Sequence, residues 1–431
     1  MAQKTGLSQT SAAVEDEAVQ DSNSSTEASS TRRARRTKIA AGIVALPMVL
    51  GPAIVALHRG FHLSYVGNPM SAWGMWGNVA IYAGTRPGRR ELLITTGLAF
   101  LIRAVYDLVV GEAAYPGSFL IGMGPFLCLT SAAAMLVCAL KGPAGRRATS
   151  RRSLVVIGLL GFVGLCRDFY IGFARIMLVN KYDYFLYSFD GSLGLEPGFI
   201  LGRLVSTVRP LWWILSIVYE SLGLWFGLVY VAHAREHRRV SGVFVVQVLI
   251  ANILIGYMLY FLFPAMGPKY AFPSYPLLPG NVRTATFLAN GIPNAMPSMH
   301  FGGALLICWL SKPWKWLYRT TIAFVVLTGV ATLGLGEHYL VDLIVAVPYA
   351  LTIWALSADT RGHRVVAAIG AVLVLSWLFY LRTGWYWPGL SWMAAAATVI
   401  VSVMLKLRLP VWLEWRPKES PAAAYSAAFH N

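Results

Sequence analysis

Past residue 38 the chain reads as a succession of apolar runs separated by short polar or basic stretches. The runs lie at roughly 39–57, 71–84, 91–111, 117–140, 153–172, 210–232, 242–263, 298–311, 320–336, 339–357, 365–381 and 389–406. None shows the period-two alternation of a barrel strand. Backbone groups in lipid must pair within the segment, so runs of this length predict helices. A bilayer core of about 30 Å needs about 20 helical residues. By that measure 71–84 and 298–311 are short and are expected to be re-entrant or tilted. The expected fold is all-α: a polytopic membrane protein of about twelve transmembrane helices.

Residues 1–38 break the pattern. They are rich in Ser, Thr, Ala and Glu and end in the basic run Arg32, Arg33, Arg35, Arg36, Lys38. Such a segment cannot bury enough apolar surface to fold and is expected to be a disordered tail, not a signal peptide. Residues 407–431 read as a second tail.

Charge then orients the spans. Lys and Arg number 25 in one set of alternating connections (31–38, 86–90, 141–152, 233–239, 312–319, 359–364 and 406–418) and eight in the other. The positive-inside rule puts both termini in the cytoplasm and loops 173–209 and 264–297 outside, as expected of a multi-pass plasma-membrane protein. The net charge of +17 is thereby a topology signal, which argues against a nucleic-acid partner. With 57% hydrophobic and only 13% charged residues, the composition excludes a soluble enzyme. Cys128, Cys138, Cys166 and Cys308 all lie within apolar runs at no metal-ligand spacing and read as small core residues.

Two outer segments carry chemistry. The stretch Pro297-Ser298-Met299-His300 opens the short run 298–311, and Pro297 suits the first helical position. Ser298, Met299 and His300 then occupy a first turn whose free N–H groups favour an anion. The second segment, Gly336-Glu337-His338-Tyr339-Leu340-Val341-Asp342, sets a His and an Asp four residues apart, on one helical face. A carboxylate there can fix one imidazole nitrogen and leave the other as nucleophile, although such pairs are more often structural. Glu337 beside His338 makes a thin metal site without a third spaced ligand. The pairs Arg103/Asp107 and Arg167/Asp168 read as structural ion pairs within spans, and Trp385, Tyr386, Trp387, Trp412 and Trp415 as interface belts.

The combination Pro297-Ser298-x-His300 followed by His338-x3-Asp342 resembles the second and third signatures of the type 2 phosphatidic acid phosphatase superfamily. Departures point within it. Ala331-Thr332 stands where the third signature has Ser-Arg, and the first signature, K-x6-R-P, is absent. Lys269 stands at its place, while Arg203-x5-Arg209-Pro210 is one residue short and one span early. Loss of that Arg, together with the segment Phe189-Asp190-Gly191-Ser192-Leu193-Gly194, is similar to the inositol phosphorylceramide synthase (Aur-type) branch.

The resemblance implies a six-helix catalytic core over about 153–357, with accessory helices at 39–140 and 365–406. It implies that His338 attacks phosphorus to form a phosphohistidine, that Asp342 orients it, and that His300 protonates the leaving oxygen and then activates the acceptor. Lys269, Arg283 and Ser298 are the implied phosphate-binding residues, and neither metal nor other cofactor is required. The expected activity is transfer of an inositol-phosphate-type headgroup from a lipid phosphate to a lipid or alcohol acceptor. The alternative is hydrolysis of lipid or isoprenyl phosphates. A transporter would want inverted repeats and a midplane site, which the sequence does not show.

Overall fold

In a computed structural model of the chain, residues 69–110, 122–178, 181–194, 196–235, 242–278, 291–358 and 361–409 are described, all within one compact unit, His62–Asn431. The expected tails, the run 39–57, Arg283 and the belt tryptophans Trp412 and Trp415 lie outside them, as do the side chains of Cys166, Arg167 and Asp168. Every regular element among the described residues is helical.

The helices in chain order are α1 Pro69–Gly84, α2 Arg89–Val110, α3 Gly124–Lys141, α4 Ala144–Met177, α5 Asp183–Ser192, α6 Pro197–Thr207, α7 Arg209–Glu220 and α8 Leu222–Arg235. They continue with α9 Gly242–Leu262, α10 Pro268–Ala271, α11 Met299–Ser311, α12 Lys315–Gly334, α13 Leu340–Ser357, α14 Arg361–Thr383 and α15 Pro388–Arg408. Seven of these are long and apolar enough to cross a membrane, or eight if the bent pair α6–α7 counts as one. This makes the protein a polytopic membrane protein.

Two features differ from the hydropathy reading. The stretch 173–209 contains α5 and α6 instead of an open loop, and α6 meets α7 at 120° across Val208. The run 210–232 is two helices, α7 and α8, broken at Ser221. The Ser221 hydroxyl donates to the Val218 carbonyl, and its N–H is shared between Ile217 and Val218. Such back-bonding competes with the helical ladder, which the hydropathy of the run does not reveal.

Apolar burial does not by itself drive helices together in lipid, whose tails are as apolar as Leu. Close packing of small residues does. A Cβ added to Gly77 on α1 would lie 2.3 Å from the Gly223 carbonyl oxygen, and one added to Gly227 would lie 2.4 Å from that of Gly77. Glycine alone permits that approach of α1 to α8. Conversely, α2 turns Leu93, Ile94 and Leu108 outward, as a lipid-facing helix does. Arg103 and Asp107 on α2 pair at 2.6 Å, with Arg103 also over the Phe126 ring. At the centre lies α13, the most buried of the spans, against α9, α11, α14 and α15. The Pro297–His300 and His338–Asp342 segments sit at the start of α11 and α13.

Candidate active site

His338 is the last residue but one before α13, and its ring is 2% exposed. Its Nδ1 lies 2.9 Å from the Ala295 carbonyl oxygen. A carbonyl can only accept, so Nδ1 carries the proton and Nε2 keeps the lone pair. The Asp342 carboxylate stands 3.4 Å from the same Nδ1. Its shorter bond, 2.8 Å, is to the Tyr339 N–H at the N-cap of α13. Asp342 therefore holds the backbone next to the imidazole, while a backbone oxygen sets the tautomer. Burial pushes the His338 pKa down to about 4, against an opposing pull from neighbouring Glu337. The neutral ring is favoured.

The 335–338 turn is tied to its neighbours by backbone. The N–H groups of Glu337 and His338 both donate to the Thr332 carbonyl at 3.1 Å, and the Lys269 N–H donates to the Gly336 carbonyl at 2.9 Å. Gly336 (φ 72°) and Gly267 (φ 92°) occupy conformations that side chains disfavour. A Cβ on Gly267 would stand 2.2 Å from the Glu337 carbonyl oxygen, so Gly267 also allows the two backbones to touch.

The other motif lies alongside. Ser298 is the N-cap of α11, its Oγ accepting from the Phe301 N–H at 3.3 Å, and its own N–H donates to the Asp342 carbonyl at 3.2 Å. Helix α11 begins at Met299, so Pro297 precedes the cap instead of filling the first helical position. Ser298 is fully buried, and the Met299 N–H pairs with the Tyr260 hydroxyl. Much of the amide set at this helix start is thus engaged within the protein. His300, half-buried in the first turn, stacks on Tyr219 with ring centroids 4.0 Å apart.

Lys269 is half exposed, 3.8 Å from the Glu337 carboxylate, which also accepts from the Tyr270 hydroxyl at 3.1 Å. The His338–Ala295 and Ser298–Asp342 bonds put the His300 and His338 segments in one neighbourhood. Ala331 and Thr332 are fully buried, and the Thr332 hydroxyl bonds to its own helix at Gly329. Among the described residues, no group of three His, Cys, Asp or Glu is placed to hold a metal.

Two kinds of residue escaped the sequence reading: Tyr219, and Ala295 through its carbonyl. Neither has a local signal, because each acts across the fold.

The comparison with known families bears on this geometry. Residues 184–356 match the PAP2 superfamily. That segment runs from α5 through α13 and contains Lys269, Ser298, His300, His338 and Asp342, but not α1–α4, α14 or α15. No curated protein and no solved structure matches the chain. The PAP2 match supports an enzyme of the lipid phosphatase or phosphotransferase class.

Proposed function

We propose that the protein is a lipid phosphotransferase that works through a phosphohistidine on His338, with its site at the outer membrane face. The Nε2 lone pair attacks phosphorus while the bond to the leaving lipid oxygen breaks, and protonated His300 gives its proton to that oxygen. The acceptor alcohol then attacks phosphorus, loses its proton to His300, and releases the His338 nitrogen. Positioning and charge neutralisation carry most of such a transfer. Lys269 supplies positive charge, exchanging Glu337 for a phosphate oxygen, and Arg283 and Ser298 complete the phosphate-binding set.

The observation that carries this reading is the pairing of a fixed Nδ1–H tautomer with near-complete burial of His338. A transferase must keep water from its phosphoenzyme, and a recessed nucleophile supports transfer over hydrolysis. The Ala331-Thr332 pair in place of Ser-Arg is the sequence feature from which an inositol-phosphate-type headgroup donor is proposed.

Purified protein with a panel of phospholipids and isoprenyl phosphates tests it, following inorganic phosphate and new phospholipid separately, with His338→Ala as blank. Acceptor lipid should raise turnover. Rapid phosphate release without transfer product, across inositol-, glycerol- and choline-type headgroups, would move the assignment to a phosphatase.

A further inference from the structure

Helix α5 carries two buried carboxylates that the motif chemistry leaves unused. Asp183 is fully buried and Asp190 nearly so. They are seven residues apart, two turns of helix, which puts both on one face about 10 Å apart along the axis. Asp183 accepts from the N–H groups of Met266 and Gly267 at 3.0 Å and from the Tyr339 hydroxyl at 2.9 Å. Asp190 accepts from the N–H groups of Leu340 at 2.7 Å and Val341 at 3.1 Å.

These partners are not arbitrary. Met266 and Gly267 open the turn that presents Lys269. Leu340 and Val341 are the first two residues of α13, directly after the His338 turn. The ordinary role of an Asp at a helix start is to cap its own helix. Asp342 already does that for α13 through the Tyr339 N–H. Asp190 reaches the next two amides from a separate helix, and Asp183 ties the same helix to the second loop. Each carboxylate is costly to bury, and burial pushes the pKa of both upward, to about 6 for Asp183. Simple helix capping would not require two of them on one face, Asp190 gripping the start of α13 and Asp183 bridging the 265–269 turn to Tyr339.

We propose that Asp190 and Asp183 are positioning residues: α5 acts as a rigid spacer that sets the separation between the Lys269 turn and the His338 turn. The inference rests on His338 being the nucleophile. Neither carboxylate touches phosphate. Their contribution is to hold phosphate charge partner and attacking nitrogen in register.

The test uses the full chain in lipid nanodiscs. Asp190→Asn preserves shape but points an NH2 group at an amide N–H, and Asp183→Asn does the same on the other loop. A misplacement of about 1 Å costs on the order of 10²-fold in rate, so kcat should fall by about that factor with donor KM little changed. The trapped phosphohistidine should fall with it. Met135→Ala on α3, buried in a helix that packs against α1, α2 and α4, should lower Tm while keeping kcat near wild type. Asp190→Glu should not restore kcat, because its extra methylene drives the carboxylate into the amides. Wild-type kcat in both Asn variants, or a kcat loss no greater than that of Met135→Ala at equal Tm, would overturn the spacer. An active His338→Ala would instead remove the nucleophile assignment, so the two failures are distinguishable.

Discussion

Substituting Gly267 by Ala tests the backbone contact on which the proposed chemistry depends. Gly267 has φ 92° and ψ 157°, a region open essentially to glycine, and the conformation alone costs about 1–3 kcal/mol for another residue. The added Cβ would stand 2.2 Å from the Glu337 carbonyl oxygen. An ordinary carbon–oxygen contact is about 3.3 Å, so the 265–269 and 335–338 turns must separate by about 1 Å. That displaces Lys269 relative to His338, and a shift of this size is worth on the order of 10²-fold in rate. The strain also lowers stability, so turnover and thermal unfolding are measured on the same nanodisc preparations. The expected result is a modest fall in Tm with a kcat loss near two orders of magnitude. A correctly folded Gly267→Ala protein with wild-type kcat would show that the apposition of the two turns is irrelevant to catalysis.

Removal of the nucleophile in His338→Ala should abolish turnover and the trapped phosphoenzyme. His300→Ala should still form phosphoenzyme slowly from a donor with a good leaving group, with turnover down by about 10²–10⁴; normal activity in either variant refutes its role. The depressed pKa of His338 makes its contribution to stability complete above pH 6.5 and lost as pH falls through about 4, because the unfolded chain binds that proton more readily. The loss amounts to about 3 kcal/mol, and a Tm-against-pH series should show it in wild type but not in His338→Gln. In His300→Ala, phosphoenzyme formation should hold its rate down past pH 6, and an acid limb centred at 6.5 would contradict the neutral buried ring. A single cysteine at exposed Thr383, in a background without the native cysteines, should react with an impermeant reagent from outside intact cells. Labelling only after the membrane is breached would reverse the orientation.

The candidate residues His300, His338 and Asp342 are readable in the sequence because each motif is local: a turn followed by a helix start, within a few residues. Their spacing is readable too, but not what would join them. The Nδ1 partner of His338 is a main-chain oxygen at Ala295, and main-chain acceptors leave no mark on residue identity. Tyr219 stacks on His300 from 81 residues earlier in the chain, and an aromatic in an apolar run reads as core. Asp190 was singled out as part of a segment, yet its bonds to Leu340 and Val341 depend on how α5 docks. Hydropathy located most helix centres well and their interruptions badly. Ser221 ends α7 by hydrogen bonding, not by a change in polarity, and α5 and α6 are too short and mixed in character for a span-length window.

The glycine contact between α1 and α8 bears on how the chain can be divided. Helix α8 continues directly from α7, which carries Tyr219 and, through it, the stacking partner of His300. Helix α1 lies against α8 at backbone distance, with no side chain between them to be remodelled. A helix outside the matched family segment is therefore keyed to the catalytic bundle as closely as any of its own members. Grafting the matched segment onto a different set of leading helices would require a replacement with glycine at the Gly77 position, so the two parts are constrained to change together.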